Sequence, residues 1–238
     1  MILDTALNYI FPPRCISCTD VLPINYLRWL CSTCHASLER YGNNGTNMNF
    51  ALYVYNDTMR QAIHRFKYDS RPKHGIPLGG LMADYAYEIL PRDVVISMVV
   101  PIPLHQSKRR ERGFNQAEIL ARTICEQLSL NLDATALMRT RNTDRQAGLN
   151  IAERHENMED AFAVQDDATV AGKNILLIDD IYTTGSTIQA CRTALLARGA
   201  HRVLSYSLSY APLYDTDDTH NSTSINRKNT NIHDTLAR

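Results

Sequence analysis

The sequence predicts an α/β fold, a parallel sheet flanked by helices, with a small four-cysteine module in front of it. Three observations lead there. Unbroken apolar runs at 94–100 and 175–178 have the pattern of strands buried on both faces. Segments with helical apolar spacing follow these runs, at 117–128 and 187–198, which is the alternation of a parallel sheet. Ahead of them stand Cys15, Cys18, Cys31 and Cys34, spaced C-x2-C-x12-C-x2-C.

At 238 residues the chain has room for one α/β domain and something small. The expected division is a zinc-binding module over 1–42, an α/β domain over 50–212 and a disordered tail over 213–238. Lys plus Arg number 25 and Asp plus Glu number 25, so no global charge points to nucleic acid, although a local basic patch is compatible with that balance. No apolar run approaches a membrane span. Residues 1–14 have an apolar side but no basic n-region and no convincing cleavage site, and read as a short packing helix rather than a signal peptide. The expected location is the cytoplasm, with no membrane insertion.

Two C-x2-C knuckles can aim four thiolates at the corners of a tetrahedron, the geometry Zn²⁺ takes in structural sites. Two disulfides are the alternative, but they suit secreted chains. His35 reads as a neighbour rather than a ligand. Trp29 is the apolar plug expected beside the metal. Cys125 and Cys191 sit in helical patterns and read as small buried hydrophobes.

Along the chain, residues 42–49 are Asn- and Gly-rich and form the linker. A strand is expected over 52–55. A helix follows over 58–68, with Met59, Ala62, Ile63 and Phe66 at core spacing. Its basic end, His64-Arg-Phe-Lys-Tyr68, suits a helix C-terminus or a ligand. A helix over 77–90 is closed by Pro91. The strand over 94–100 runs into Pro101-Ile-Pro103, which ends ladder pairing. Lys108, Arg109, Arg110 and Arg112 then cluster in a loop, at the end of a parallel strand where open α/β sheets bind ligands. The bland reading of that cluster is a solvated charge run. Gly113 and a helix start after it make a second anion site. Short strands are expected over 134–138 and at Phe162 to Val164. Between them lies a polar, arginine-bearing segment over 139–157, long enough to be a mobile lid. The last strand spans 202–210. Past Pro212 the chain is too polar to bury a core.

The most informative stretch is Ile175-Leu-Leu-Ile-Asp-Asp-Ile-Tyr-Thr-Thr-Gly-Ser-Thr187. The strand is expected to end at Asp179 and Asp180. The turn that follows offers hydroxyls, a glycine that lets the backbone come close, and the start of a helix. Together these make a phosphosugar cradle. Backbone N–H groups and the helix N-terminus attract a phosphate, and the carboxylates accept hydrogen bonds from sugar hydroxyls. The chain has neither a G-x-x-x-x-G-K-[ST] loop nor a G-x-G-x-x-G turn, which excludes a P-loop nucleotidase and a dinucleotide fold.

This stretch resembles the phosphoribosyl-pyrophosphate (PRPP) motif of type I phosphoribosyltransferases. The wider order of parts resembles the ComF/GntX family of phosphoribosyltransferase-like proteins. The resemblance rests on Phe11-Pro-Pro-Arg-Cys15 with the knuckles, Phe66-Lys-Tyr68, Val100-Pro-Ile-Pro103 and Arg110-Glu-Arg-Gly-Phe-Asn-Gln116. It rests also on Gln146, Leu149, Arg154 and Asn157, and on the stretch 178–187. It implies the type I phosphoribosyltransferase fold. By resemblance, Asp179 and Asp180 meet the ribose hydroxyls of PRPP, and Thr183, Thr184, Gly185, Ser186 and Thr187 hold its 5′-phosphate. Arg110, Arg112 and Gly113 belong to the pyrophosphate loop, and Gln146 and Arg154 to the flexible loop. Mg²⁺ accompanies PRPP, held mostly by ligand oxygens and water.

Two function classes follow. One is a phosphoribosyltransferase acting on an acceptor that the sequence does not name, and no residue reads as its general base. The other is a competence or DNA-utilisation accessory protein. It would contact single-stranded DNA or uptake partners through the basic segment and the zinc module, with the PRPP site a sensor or vestige.

Overall fold

The computed structural model describes residues 12–23, 29–41, 48–68, 72–140 and 161–212. Four parallel strands make the main sheet: β1 (Asn49–Val54), β2 (Met98–Pro101), β5 (Asn174–Tyr182) and β6 (Arg202–Tyr210). Their order is β1-β6-β5-β2. A separate antiparallel pair joins β3 (Leu137–Arg139) to β4 (Phe162–Val164). The helices are α1 (Ser32–Ala36), α2 (Asp57–Tyr68), α3 (Gly75–Ile89), α4 (Gln106–Arg112), α5 (Gln116–Leu128), α6 (Asp167–Val170) and α7 (Ser186–Ala197), with a 3-10 turn at Pro72–His74. Among the described residues, no helix is long and apolar enough to cross a membrane.

β5 is one of the two interior strands, and Ile175 to Ile178 are fully buried. Alternate side chains go to two cores. Leu176 and Ile178 join Phe66, Leu78, Met82, Leu120 and Ile124 from α2, α3 and α5. Ile175 and Leu177 join Ile188, Cys191 and Leu195 from α7. Cys15, Ile16, Leu22, Leu30 and Cys34 lie in the first of these cores, so the cysteine module and the sheet share buried surface. Leu30, not the half-buried Trp29, is the fully buried plug near the second knuckle.

Three expectations are corrected. β5 does not stop before the acids; pairing with the long β6 carries it on to Tyr182, with Asp179 opposite Ser207 and Tyr182 opposite Tyr210. β2 covers only Met98–Pro101, and Val95 before it is 80% exposed. As an outer strand of the four, β2 accepts Pro101 without losing an interior ladder bond. The basic segment is a helix, α4, rather than a loop. The His105 ring accepts from the Ser107 backbone N–H, Lys108 pairs with Glu111, and Gly113 ends the helix in the left-handed region at φ 82°. The helix expected over 1–14, the linker, the segment over 139–157 and the tail fall largely or wholly outside the described residues.

α3 and α5 pack closely because α3 carries glycines. A Cβ at Gly79 would sit 2.7 Å from Thr123 Cβ and 3.1 Å from the Leu120 carbonyl oxygen. At Gly80 the nearest atom is 3.5 Å away, on the flexible Gln127 side chain. Alanine gains about 1 kcal/mol over glycine in a helix interior, and overpacking costs about 1–3 kcal/mol. Gly79→Ala should therefore lower the urea midpoint while Gly80→Ala raises it. Equal effects at the two positions would show that the interface is not close-packed at Gly79.

Candidate functional site

The acids sit in the last part of β5, at the C-terminal edge of the sheet. Asp180 is 9% exposed, and Asp179 is half-buried. The Asp179 carboxylate accepts the Asp180 backbone N–H at 2.8 Å. Burial, and then the neighbouring Asp180 charge, push the Asp179 carboxyl up to about 7.

The cation facing this pair is Lys67, whose Nζ lies 2.5 Å from Asp180 Oδ2. Both side chains are largely covered, 19% and 13% exposed. In the sequence Lys67 belongs to the basic helix end that suits either a ligand or a helix C-terminus, and it is given no site role of its own. A signal was there: 59, 63 and 67 are spaced i, i+4, i+8, so the lysine falls on the stripe that Met59 and Ile63 bury.

After Tyr182 the chain turns through Thr183 and Thr184 to Gly185, which N-caps α7 at φ 79° without a side-chain cap bond. A Cβ at Gly185 would lie 2.7 Å from the Tyr182 ring, so position 185 needs glycine for both conformation and space. The Thr184 hydroxyl accepts the Ser186 backbone N–H at 3.3 Å and shares a 2.9 Å hydrogen bond with the Ser186 hydroxyl. Thr187 follows in the first turn of α7. Acids, hydroxyls and a helix start with glycine at its N-cap are thus contiguous.

The basic segment approaches from β2. Arg112 donates to Gln116 Oε1 at 2.6 Å and lies 5.5 Å from the Tyr68 ring centre. Phe66 packs on Phe114, with ring centres 5.7 Å apart. The end of α2 that carries Lys67 is therefore packed against residues 112–114. Gln116 is 2% exposed, and its Nε2 has no hydrogen-bond partner among the described residues; sequence reasoning assigned it no role. Arg110 is exposed, and Gly113 has open space at its Cα. Gln146 and Arg154 lie outside the described residues.

On the far side of α2, the Sγ atoms of Cys15, Cys18, Cys31 and Cys34 lie within 4.8 Å of one another, close enough to hold a metal ion. Cys18 and Cys31 Sγ are 3.6 Å apart. His35 is not part of the cluster. The module is tied to α2 and the segment before it. Arg65 Nε donates to the Ser17 carbonyl at 3.2 Å, Asn56 donates to the Ser37 carbonyl at 2.7 Å, and the Ser37 and Thr58 hydroxyls are 2.7 Å apart.

Residues 111–234, slightly more than half of the chain, match the phosphoribosyl transferase domain family. The DNA utilization protein YhgH of Escherichia coli (strain K12) is 30% identical over 159 residues, covering 65% of this chain and 68% of that protein. The competence protein ComFC of Bacillus subtilis (strain 168) is 29% identical over 167 residues, covering 67% and 63%. The match to YhgH of Escherichia coli O157:H7 covers 64% of that protein, so the chain spans about two thirds of the length of the curated relatives it matches. Among solved structures, the glutamine PRPP amidotransferase from B. subtilis complexed with ADP and GMP aligns with a TM-score of 0.40 at 19% identity, over 60% of this chain and 30% of that one. The chain belongs to the phosphoribosyl transferase domain family, in the branch that holds ComFC and YhgH.

Proposed function

We propose that the chain binds PRPP at the end of β5 and can pass its phosphoribosyl group to an acceptor, which bonds to the anomeric carbon as pyrophosphate leaves. The observation that carries this is the adjacent acids Asp179, half-buried, and Asp180, buried, followed directly by the Gly185 turn and the start of α7. In this reading Asp179 and Asp180 accept the ribose hydroxyls. The backbone and hydroxyls over 183–187 take the 5′-phosphate, and Arg110, Arg112 and Gly113 take the diphosphate, with Gln146 and Arg154 on the closing loop. Mg²⁺ bound with PRPP neutralises diphosphate charge. As the bond from the anomeric carbon to the diphosphate oxygen breaks, positive charge grows on the sugar. The protein's part is to fix the ribose and stabilise the leaving anion.

We also propose that the four cysteines hold one structural Zn²⁺, as part of a module over 1–42 set before the domain over 50–212, in a reducing cytoplasm. Zn–S bonds of about 2.3 Å place tetrahedral sulfurs about 3.8 Å apart, which the cluster's spacing fits. Burial pushes the Cys18 and Cys34 thiols up, whereas at Cys15 it is outweighed by backbone N–H donors, which bring it down to about 7. A cation at the centre favours four thiolates.

A second reading draws on the relatives' names, DNA utilization and competence, and on the exposed basic face of α4. In it the chain serves DNA handling, and phosphates of single-stranded DNA lie on that helix.

Three outcomes are expected. In calorimetry, Mg-PRPP binding should vanish in Asp179→Asn with Asp180→Asn, since each charge-assisted hydrogen bond lost costs roughly 1.5–3 kcal/mol. Oligonucleotide binding, where present, should be unchanged by these substitutions. Equal PRPP heats from both proteins, or none from the unsubstituted chain, would sink the assignment.

Elemental analysis should find about one zinc per chain, and Cys15→Ser should lose it while unfolding the module first. A native protein with two disulfides and no metal would end the zinc proposal.

The ligand-free site should also leave a pH signature. An unfolded Asp titrates near ~3.9 and folded Asp179 near about 7. Between those values the folded state holds the extra proton, so this group's contribution to stability falls as pH rises across the window. Asp179→Asn should remove that slope, gaining on the unsubstituted chain in urea midpoint from pH 5 to pH 8. Parallel midpoints across that range would mean the carboxyl is not buried.

A further inference from the structure

We propose that Lys67 is an exchange cation. It sits on Asp180 while the site is empty, and it transfers to the ligand's diphosphate when ribose hydroxyls take its place on the carboxylate. This rests on the phosphoribosyl reading of the site and goes beyond it, because it assigns a residue from α2, outside the strand and turn that cradle the sugar.

The geometry carries the argument. The Lys67 ammonium occupies Asp180 Oδ2 at 2.5 Å. An ammonium this close to Oδ2 stands in the way of a sugar hydroxyl arriving on the same side, so a hydroxyl that takes this oxygen displaces it. A buried ammonium needs a counter-ion wherever it goes. Asp180 is mostly covered and Asp179 holds its own backbone contact through Oδ1. The residues that flank Lys67 touch the segment that begins with Arg112. Tyr68 is the next residue, and its ring is 5.5 Å from the Arg112 guanidinium. Phe66, the residue before, packs on Phe114. The last turn of α2 is thus wedged between the acids of β5 and the cationic segment after β2. A four-carbon stem lets the lysine's point charge turn from one to the other without moving the helix. A ligand with ribose hydroxyls at one end and a diphosphate at the other supplies both halves of the exchange. It competes for the carboxylate and provides the new counter-ion. A ligand with only one half does not.

The test uses inorganic pyrophosphate, which has no ribose. With Asp180 in place, pyrophosphate must draw Lys67 off the carboxylate with nothing to replace it, so binding is weak. Asp180→Asn releases the lysine, and pyrophosphate should bind at least three-fold tighter. Lys67→Met should bind it at least three-fold more weakly than the unsubstituted chain. In Lys67→Met with Asp180→Asn, the gain from Asp180→Asn should disappear. That last comparison separates exchange from the plain removal of a negative charge, which would help pyrophosphate in either background. Lys67→Arg, which keeps the charge, should restore pyrophosphate affinity to within about two-fold. Calorimetry reads all five proteins, with thermal unfolding as the check on folding. The proposal is overturned if Asp180→Asn fails to tighten pyrophosphate binding, or if the gain persists without Lys67. The two failures are distinguishable: if the unsubstituted chain binds Mg-PRPP but the pyrophosphate cycle shows no dependence on Lys67, the exchange fails and the phosphoribosyl reading stands, whereas an unsubstituted chain that binds no PRPP removes both.

Discussion

Two carboxylates inside a strand buried on both faces are the constraint to which the rest of this structure is adjusted. β5 runs from Asn174 to Tyr182 with four fully buried aliphatic residues before the acids. A charge at the end of such a strand loses most of its hydration, which is costly unless it is paired or gives up its ionisation. The molecule does both. Lys67 pairs with Asp180, and burial beside that charge raises the Asp179 carboxyl toward neutrality. An ion pair with both partners this covered contributes little net stability and costs heavily when half of it is removed. Its presence at a sheet edge is therefore better explained by what the carboxylates are for than by what they add to the fold.

Holding Lys67 in place requires holding α2, and that explains how the cysteine module is attached. α2 buries Met59, Ala62, Ile63 and Phe66 toward the sheet. On its other side Arg65 donates to the carbonyl of Ser17, between the first two cysteines, and Asn56 and Thr58 hydrogen-bond to Ser37, just after α1. A small module with few apolar side chains cannot fix a helix by packing alone. Four sulfurs gathered within 4.8 Å supply a cross-link that a metal can complete. The module and the acids of β5 are thus joined through the two faces of one helix.

Much of this was legible in the sequence, and the parts that were not share a cause. β6 matches its expected bounds, because its residues alternate and turn signals flank it. The four cysteines and the Gly185 turn were readable because short-range spacing alone specifies them. The extent of β5 was not, since polar residues mark a strand end only if the neighbouring strand stops too, and β6 goes on to Tyr210. Residues 106–112 were read as a loop because prolines precede them, while the ring of His105, accepting the Ser107 N–H, starts a helix. The role of Lys67 was left open between a helix end and a ligand. A basic residue near a helix C-terminus has a sufficient local explanation in the helix dipole, and its partner lies 113 positions away in sequence, on another strand.

The sheet order then explains why these groups meet at all. β2 and β5 are neighbours, but the chain leaves them in opposite directions. After β2 it passes through α4 into α5, which packs on the face shared with α2 and α3. After β5 it turns into α7, which packs on the other face. Two neighbouring parallel strands whose following helices diverge leave a crevice at their C-terminal ends. The acids and the hydroxyl turn lie on the β5 side of that crevice, and the arginines of α4 begin on the β2 side. The last turn of α2 lies between them, with Lys67 on Asp180 and Tyr68 beside Arg112. Opposite charges arranged on two walls suit a ligand that carries both hydroxyls for the acids and anionic groups for the arginines.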